Sequence, residues 1–413
     1  MKDIENSKKE APLKEAPFLG LTGMGGGVAS LMWAGATGDG PFSLWVMGAG
    51  EYGLLAQNSN TNYSSPRQVP GEWQKLGGGE NQAQSMGGIK PDGTLWTWGR
   101  NNGGQLGHNS KTQRSSPMQV GTDTTWANVS MTYAGGMLAT KTDGTLWSWG
   151  YNHKGNLGHN APAGTEYSSP KQIGTGTDWG LESYHMTGGY TQAAAIKTDG
   201  TLWKWGNNNE GELGLNDRTQ RSSPTKIPGT WAGVADGQGS NFRAVKADGT
   251  AWTAGAGSLG VSGMPDSTRY SSPTQLGWQY TAFIPTSNLS ASPGIQLYGQ
   301  SPAANWGGVY VTGYNAQGGL GQNNTSNAYG IGPGAKVVNS PSGWKEYSMD
   351  SGERFAGGVR GDGTIWLWGN NSSGQLGQNN EINRSSPVQV GSNADWWQFK
   401  QLSGRSFMLR DNL

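Results

Sequence analysis

The phrase Asp-Gly-Thr-Leu-Trp-x-Trp-Gly constrains this chain more than any other feature, because it returns. Copies run over 92–99, 143–150, 199–206 and 362–369, a worn copy over 248–255, and fragments over 43–48 and 308–313. The closing glycines fall at 48, 99, 150, 206, 255, 313 and 369, which makes seven units spaced 49 to 58 residues apart. A fixed period in this range marks a solenoid or propeller. One closed ring then uses most of a 413-residue chain that length alone would divide into two or three domains.

Each unit reads as β structure. Asp-Gly is a turn dipeptide whose glycine accepts positive φ, and it predicts a two-residue hairpin between runs such as Met137–Lys141 and Thr145–Trp149. Alternation puts Trp147 and Trp149 on one strand face and Leu146 on the other, so the strand is apolar on both faces, as a blade sandwiched between neighbours requires. Asn- and Gly-rich text follows (Asn101–Gly107, Asn152–Gly158, Asn207–Gly214, Asn370–Gly377), with one leucine as an anchor into the core. Ser-Ser-Pro then opens an outer edge strand, where proline costs no ladder bond, and a third tryptophan starts the next unit. About four short strands per unit give an all-β, seven-bladed β-propeller over 28–413, with an extended N-terminal arm over 1–27. The chain ends on the first half of a unit and begins on the second half of one, so the C-terminal strands complete the first blade and leave no open sheet edge.

Eighteen of the twenty tryptophans occupy recurring slots; Trp33 and Trp306 do not. A residue present at one place in every unit serves packing, and Trp96, Trp98, Trp147, Trp149, Trp203, Trp205, Trp366 and Trp368 are read as structural. Lys90, Lys141, Lys197, Lys246 and Arg360 are expected to be solvated or to pair across the hairpin. The flat side chains that alternate before Ser-Ser-Pro (Arg114, Arg221, Arg384 with Tyr63, Tyr167, Tyr270) are expected to stack. Contacts with a partner are then expected where the repeat breaks. Ala254 replaces the second tryptophan of the fifth unit, and the sixth unit lacks the Asp-Gly turn. Ala254, Trp306 and Tyr310 form the candidate contact surface.

Chemistry has little footing. Net charge is +1 and the charged fraction is 14%, so no charge-driven nucleic-acid or membrane surface is expected. With no cysteine there are neither disulfides nor thiolate metal sites. His108 and His159 share one loop slot, no metal-spaced cluster appears, and the glycine-rich runs lie in β text rather than at a strand–helix junction. No enzyme activity, cofactor or metal is expected. Residues 1–17 are rich in lysine and glutamate without an apolar stretch, so they do not read as a secretory signal, and no apolar run is long enough for membrane insertion.

The phrase, the Asn-x-x-Gly-Gln-Leu-Gly text and the Ser-Ser-Pro that follow closely resemble the repeat of the regulator of chromosome condensation family. That resemblance implies a seven-bladed propeller over 28–413, but fold does not transmit function. The family's namesake exchanges guanine nucleotide on a small GTPase and binds chromatin; here unit lengths vary little and Lys8, Lys9 and Lys14 are offset by Glu5, Glu10 and Glu15. The plant ultraviolet-B-sensing members use clustered tryptophans with arginines, and their Gly-Trp-Arg-His-Thr phrase does not occur here. The stretch Phe18–Val28 resembles N-terminal segments of virion proteins of tailed bacteriophages. This gives a non-catalytic structural or protein-interaction propeller of a phage particle (tail, fibre or capsid-associated), assembled in the host cytoplasm. Phe18, Leu19, Leu21 and Met24 would anchor it, and other virion subunits would be its partners. The alternatives are a cytoplasmic protein-binding propeller, such as a guanine-nucleotide exchange regulator, and a glycan-binding adhesin that uses Trp306.

Overall fold

A computed structural model describes residues 40–412 apart from 80–82, 134, 237–239, 249, 257–267, 280–295, 300–308, 313–314, 327–334, 337–343, 346–349, 352–353 and 403. The regular elements within these residues are β-strands and two single turns of 3-10 helix, Glu51–Gly53 and Ser183–His185.

The hairpin phrase builds itself through side chains. Asp92 accepts from the backbone N–H of Thr94 at 3.0 Å and from its hydroxyl at 2.6 Å, and the Thr94 hydroxyl accepts from Trp96 Nε1 at 2.8 Å. The same carboxylate–hydroxyl–indole chain recurs at 143/145/147, 199/201/203, 248/250/252 and 362/364/366. In the first unit Ser43 takes the place of the threonine, accepting from Trp45 at 3.0 Å. The turn itself is not the two-residue type expected. Lys90 N–H bonds Thr94 O at 3.0 Å and Gly93 N–H bonds Lys90 O at 2.9 Å, which makes Pro91-Asp92-Gly93 a three-residue loop. Gly93, at φ +77°, forms the left-handed bulge that ends it. The longer loop is favoured because it places the aspartate where its carboxylate can reach the threonine.

The strands group into six blades. One contains Phe42–Gly48 and Tyr63–Trp73 beside Trp396–Leu402 and Arg405–Asp411 (the Leu44 blade). The others are built around Leu95–Gly99, Leu146–Tyr151, Leu202–Gly206, Thr250–Gly255 and Ile365–Gly369, and are called here the Leu95, Leu146, Leu202, Ala251 and Ile365 blades. The expected count of seven blades is therefore corrected to six. The sixth unit forms, among the described residues, only a three-stranded sheet of Gln296–Gly299, Val309–Thr312 and Ala335–Lys336. The physical reason is its sequence: without Asp-Gly-Thr and the paired tryptophans, nothing in it builds the side-chain chain that fixes the central hairpin elsewhere.

Neighbouring units are clasped by the Asn-Gly loop. A fully buried asparagine holds that loop: Asn101 Oδ1 accepts from Leu106 N–H at 2.9 Å while its Nδ2 donates to the carbonyls of Ser110 and Thr112. Asn152, Asn208, Asn315 and Asn371 do the same, and Leu106, Leu157, Leu213, Leu320 and Leu376 are buried beneath them. The loop then touches the next blade. Asn109, left-handed at φ +52°, donates its N–H to Ser168 O at 2.7 Å, and Gly104 sits where a Cβ would lie 2.7 Å from Ser168 Cα. Equivalent bonds run from Asn58 to Ser115, Asn160 to Ser222, Asn216 to Ser271, Asn323 to Ser385 and Asn379 to Ser64. The acceptor is always the first serine of Ser-Ser-Pro, which explains why these two motifs recur together.

The described ends of the chain meet in the Leu44 blade, where Phe42–Gly48 pairs antiparallel with Arg405–Asp411 in unbroken register. Buried side chains of both segments share a core, with Leu44, Val46, Phe407 and Leu409 packed together.

Candidate functional site

Most of the aromatic residues hold the ring together. Trp98, Trp149, Trp205 and Trp368 are fully buried, and their indole N–H groups donate to carbonyls in the preceding unit's Asn-Gly loop: Leu54, Gln105, Asn156 and Gly319, at 2.8–2.9 Å. Trp96, Trp147, Trp203 and Trp366 are half-buried and close the side-chain chain of their own turn. The lysine slot does more than the sequence suggested. Lys90 Nζ lies 3.7 Å from the Trp96 ring and 5.7 Å from the Trp73 ring, and Lys141, Lys197 and Lys246 are held between two indoles in the same way. Arg410 occupies this position in the Leu44 blade, 5.8 Å from both Trp45 and Trp396. The Arg or Tyr before Ser-Ser-Pro stands directly across the ladder from the closing glycine, as in Gly99 opposite Arg114 and Gly150 opposite Tyr167.

One blade junction departs from this scheme at three places together. Ala254 replaces the latch tryptophan and is buried, so its side chain offers no contact surface. Lys204, in a slot held by Thr97 and Ser148 elsewhere, is fully buried, and Glu212 replaces the loop glutamine seen as Gln105 and Gln375. Glu212 accepts from Asn207 Nδ2 at 2.5 Å and from Glu210 N–H at 2.8 Å. Burial raises its pKa, and these hydrogen bonds and the charge of Lys204 act against that rise. A long cation and a carboxylate thus stand at the junction that lacks the indole.

The other sequence-derived candidates fall elsewhere. Phe18, Leu19, Leu21, Met24 and Trp306 lie outside the described residues. Tyr310 lies in the three-stranded sheet, with its backbone opposite Tyr298 and Lys336. The histidines are tied to the fold. Ser148 Oγ and His159 Nε2 are 2.9 Å apart, a spacing a nucleophile–base pair would share, but Ser148 is fully buried and donates to Leu157 O at 2.6 Å. Burial lowers the pKa of His159 to about 4, so the ring is neutral. Among the described residues no group of three or more His, Asp or Glu side chains is arranged to hold a metal ion, and no helix is long and apolar enough to cross a membrane.

Two clefts lie at the junction of the Leu95 and Leu146 blades. At the rim, a cleft of about 380 Å³ is lined by Met118, Val120, Trp126, Trp147 and Pro170, with Asp123 at its edge. Met118 is 39% exposed, at a position that holds Arg67, Lys171, Thr225, Thr274 and Val388 in the other units. On the loop face, a second cleft of about 270 Å³ is lined by Gln84, Arg100, Asn102, Gln105, Tyr133, Tyr151 and Glu166. Beside it, Tyr133 and Tyr190 stack face to face at 4.4 Å and 13°, both more than a third exposed. Arg100 packs over Tyr52 at 5.4 Å and donates to Gln84; Glu166 pairs with Lys111. Tyr52, Tyr133 and Tyr190 have no tyrosine counterpart in the other units, and Tyr151 shares its slot after the closing glycine only with Tyr314. That irregularity is the signal the sequence carries for this face.

Comparison with known proteins supports the repeat. Residues 92–138, 143–196, 199–240 and 362–401 match the model of the regulator of chromosome condensation (RCC1) repeat. Over 351 residues, 83% of this chain, the sequence is 27% identical to the ultraviolet-B receptor UVR8 of Arabidopsis thaliana, spanning 64% of that protein. It is 32% identical over 129 residues, 30% of this chain, to the human E3 ubiquitin-protein ligase HERC2, of which it spans 3%. Among solved structures, Prp20p of Saccharomyces cerevisiae superposes with a TM-score of 0.72 at 16% identity, over 90% of this chain and 92% of that one. That structure was described together with the binding of Prp20p to Gsp1p and histones. Human WBSCR16 superposes with a TM-score of 0.68 at 17% identity, over 90% of this chain and 99% of that one. At such identities the likeness is one of fold.

Proposed function

We propose, from the match of four of its units to the RCC1 repeat model, that this chain is a non-catalytic protein-interaction propeller whose partner docks on the junction of the Leu95 and Leu146 blades. The observation that carries this reading is the apolar rim cleft, with exposed Met118 beside Trp126, Trp147 and Pro170. Concave sites that accept an apolar anchor are where partners concentrate their binding energy. The binding of Gsp1p and histones by Prp20p supports the class by analogy only.

Affinity capture with the full chain and with Met118→Asp tests it. Met118 is exposed, so the variant should keep its thermal midpoint while losing a partner that the parent retains through washing. An identical set of bound proteins for both would overturn the placement.

A finer reading, a phage virion subunit anchored by residues 1–27, is favoured by the Phe18–Val28 sequence alone. Capsid or tail proteins in the captured set, lost on deleting 1–27, would support it. A small GTPase in that set would favour the exchange-factor alternative.

A further inference from the structure

We propose that the loop-face cleft between the Leu95 and Leu146 blades is a saccharide subsite, sized for one pyranose ring, separate from the apolar rim cleft on which the protein-docking reading rests. The lining argues for this ligand class. Gln84, Asn102 and Gln105 are planar amides that carry both donors and acceptors. Gln84 Oε1 accepts from Arg100, and Gln105 accepts from Gly103 N–H and donates to Asn102 Oδ1 at 3.4 Å. A ligand would meet the lone pairs and N–H groups these bonds leave, together with the Arg100 fork and the Glu166 carboxylate. Sugar hydroxyls both donate and accept, so such a set can satisfy them in neighbouring pairs. The rings of Tyr133 and Tyr151 supply apolar faces for the C–H side of the same ligand.

Other ligands fit less well. A peptide hot spot buries an anchor in a mainly apolar pocket, whereas most of the side chains lining this cleft are amide or charged groups, with the Tyr133 and Tyr151 rings as its apolar faces. A simple anion would gain from Arg100 but face the carboxylate of Glu166. The volume of about 270 Å³ lies near the lower end of ligand pockets, roughly 300 Å³, which suits one ring rather than a large cofactor.

The site is also held in place. Arg100 is fixed between Tyr52 and Gln84, Glu166 is held by Lys111, and Gln105 accepts from Gly103 N–H at 2.9 Å. Gly103 keeps the floor open, since a Cβ there would lie 2.9 Å from that of Tyr151. The stacked Tyr133–Tyr190 pair extends the aromatic wall toward the Leu202 blade, along which a second sugar of a chain could lie.

The test is a titration of the full, ¹⁵N-labelled chain with the methyl pyranosides of glucose, galactose, mannose and N-acetylglucosamine, with glycerol as control, followed by amide shifts. At least one glycoside should give saturable shifts that include Asn102, Gly103 and Gly135. Tyr133→Ala should weaken that binding about tenfold with an unchanged spectrum elsewhere. Met118→Asp, at the rim, should leave it intact, so this proposal and the protein-docking reading fail separately. No saturable response to any glycoside, a response shared by glycerol, or shifts confined to residues away from the cleft would overturn it.

Discussion

At the scale of single residues, the recurring lysine is the clearest case of a side chain whose role exceeds its appearance. Its slot two residues before the turn aspartate was plain in the sequence, but its neighbours were not. One of the two indoles around Lys90 is Trp73, which precedes the hairpin by some twenty residues and is brought beside it by the antiparallel pairing of Lys75 with Ile89, as Trp126 is brought directly opposite Lys141. A cation between aromatic faces contributes about 0.5–2 kcal/mol. Lys90→Met keeps the aliphatic stem and removes the charge, so chemical denaturation should show a loss of about 1 kcal/mol; an unchanged midpoint would make the contacts incidental. His159 gives a prediction in pH. Its pKa is lowered from the ordinary 6.5 to about 4 by burial, so between these values the unfolded chain binds a proton that the folded chain does not. Its contribution is therefore complete above pH 6.5 and is lost as pH falls toward 4. His159→Gln, the residue found naturally at Gln322 and Gln378 in this slot, should flatten part of the fall in melting temperature over that range. His185, also lowered to about 4 by burial, would account for a remainder.

At the scale of elements, the junction of the Leu202 and Ala251 blades shows how one missing side chain propagates. Where Trp205 reaches the carbonyl of Asn156, Ala254 reaches nothing comparable, and the neighbouring unit has changed at Lys204 and Glu212. The three substitutions make sense as one exchange of an indole latch for two buried groups of opposite charge, Lys204 and Glu212. In the sequence only the loss of the tryptophan at Ala254 stood out; the link to Glu212 comes from the other junctions, where the latch tryptophan reaches the corresponding loop position, as Trp149 reaches the carbonyl of Gln105. Removing one of two buried opposite charges leaves the other uncompensated, so Lys204→Ser alone should cost about 3–5 kcal/mol. The triple variant Lys204→Ser, Glu212→Gln, Ala254→Trp restores the pattern of the other junctions and should recover most of that loss. The comparison is a mutant cycle in urea; additive effects would show that the three sites are independent.

At the scale of the whole molecule, the class of fold was legible because the turn, the loop and the edge strand each recur with their own signature, and each signature proved to be a hydrogen-bonding device. The blade count was not legible, because spacing alone cannot distinguish a unit that folds its four strands from one that has lost the residues that build them. Closure rests on the Leu44 blade, which also lacks a latch tryptophan: Met47 stands there, and the carbonyl of Gln375 is instead satisfied by the buried hydroxyl of Ser406, at 2.8 Å. A residue from the C-terminal strand thus completes the clasp between the Ile365 and Leu44 blades. Phe42 and Asp411 are paired across the ladder, so the described ends of the chain adjoin within one sheet. If closure is what makes the ring cooperative, the order of the segments should matter less than their pairing. A circular permutant that joins Asn412 to Gly40 through a short flexible linker and opens the exposed turn at Gly121–Thr122 keeps every pair. It should melt in one transition close to the parent. Deleting 405–413 removes one strand, bares the edge of Phe42–Gly48 and leaves Gln375 without its donor; it should broaden the transition and aggregate, as unpaired edges do. Equal behaviour of the deletion and the parent in calorimetry would mean that the Leu44 blade is an appendage and that the ring is held by its other junctions.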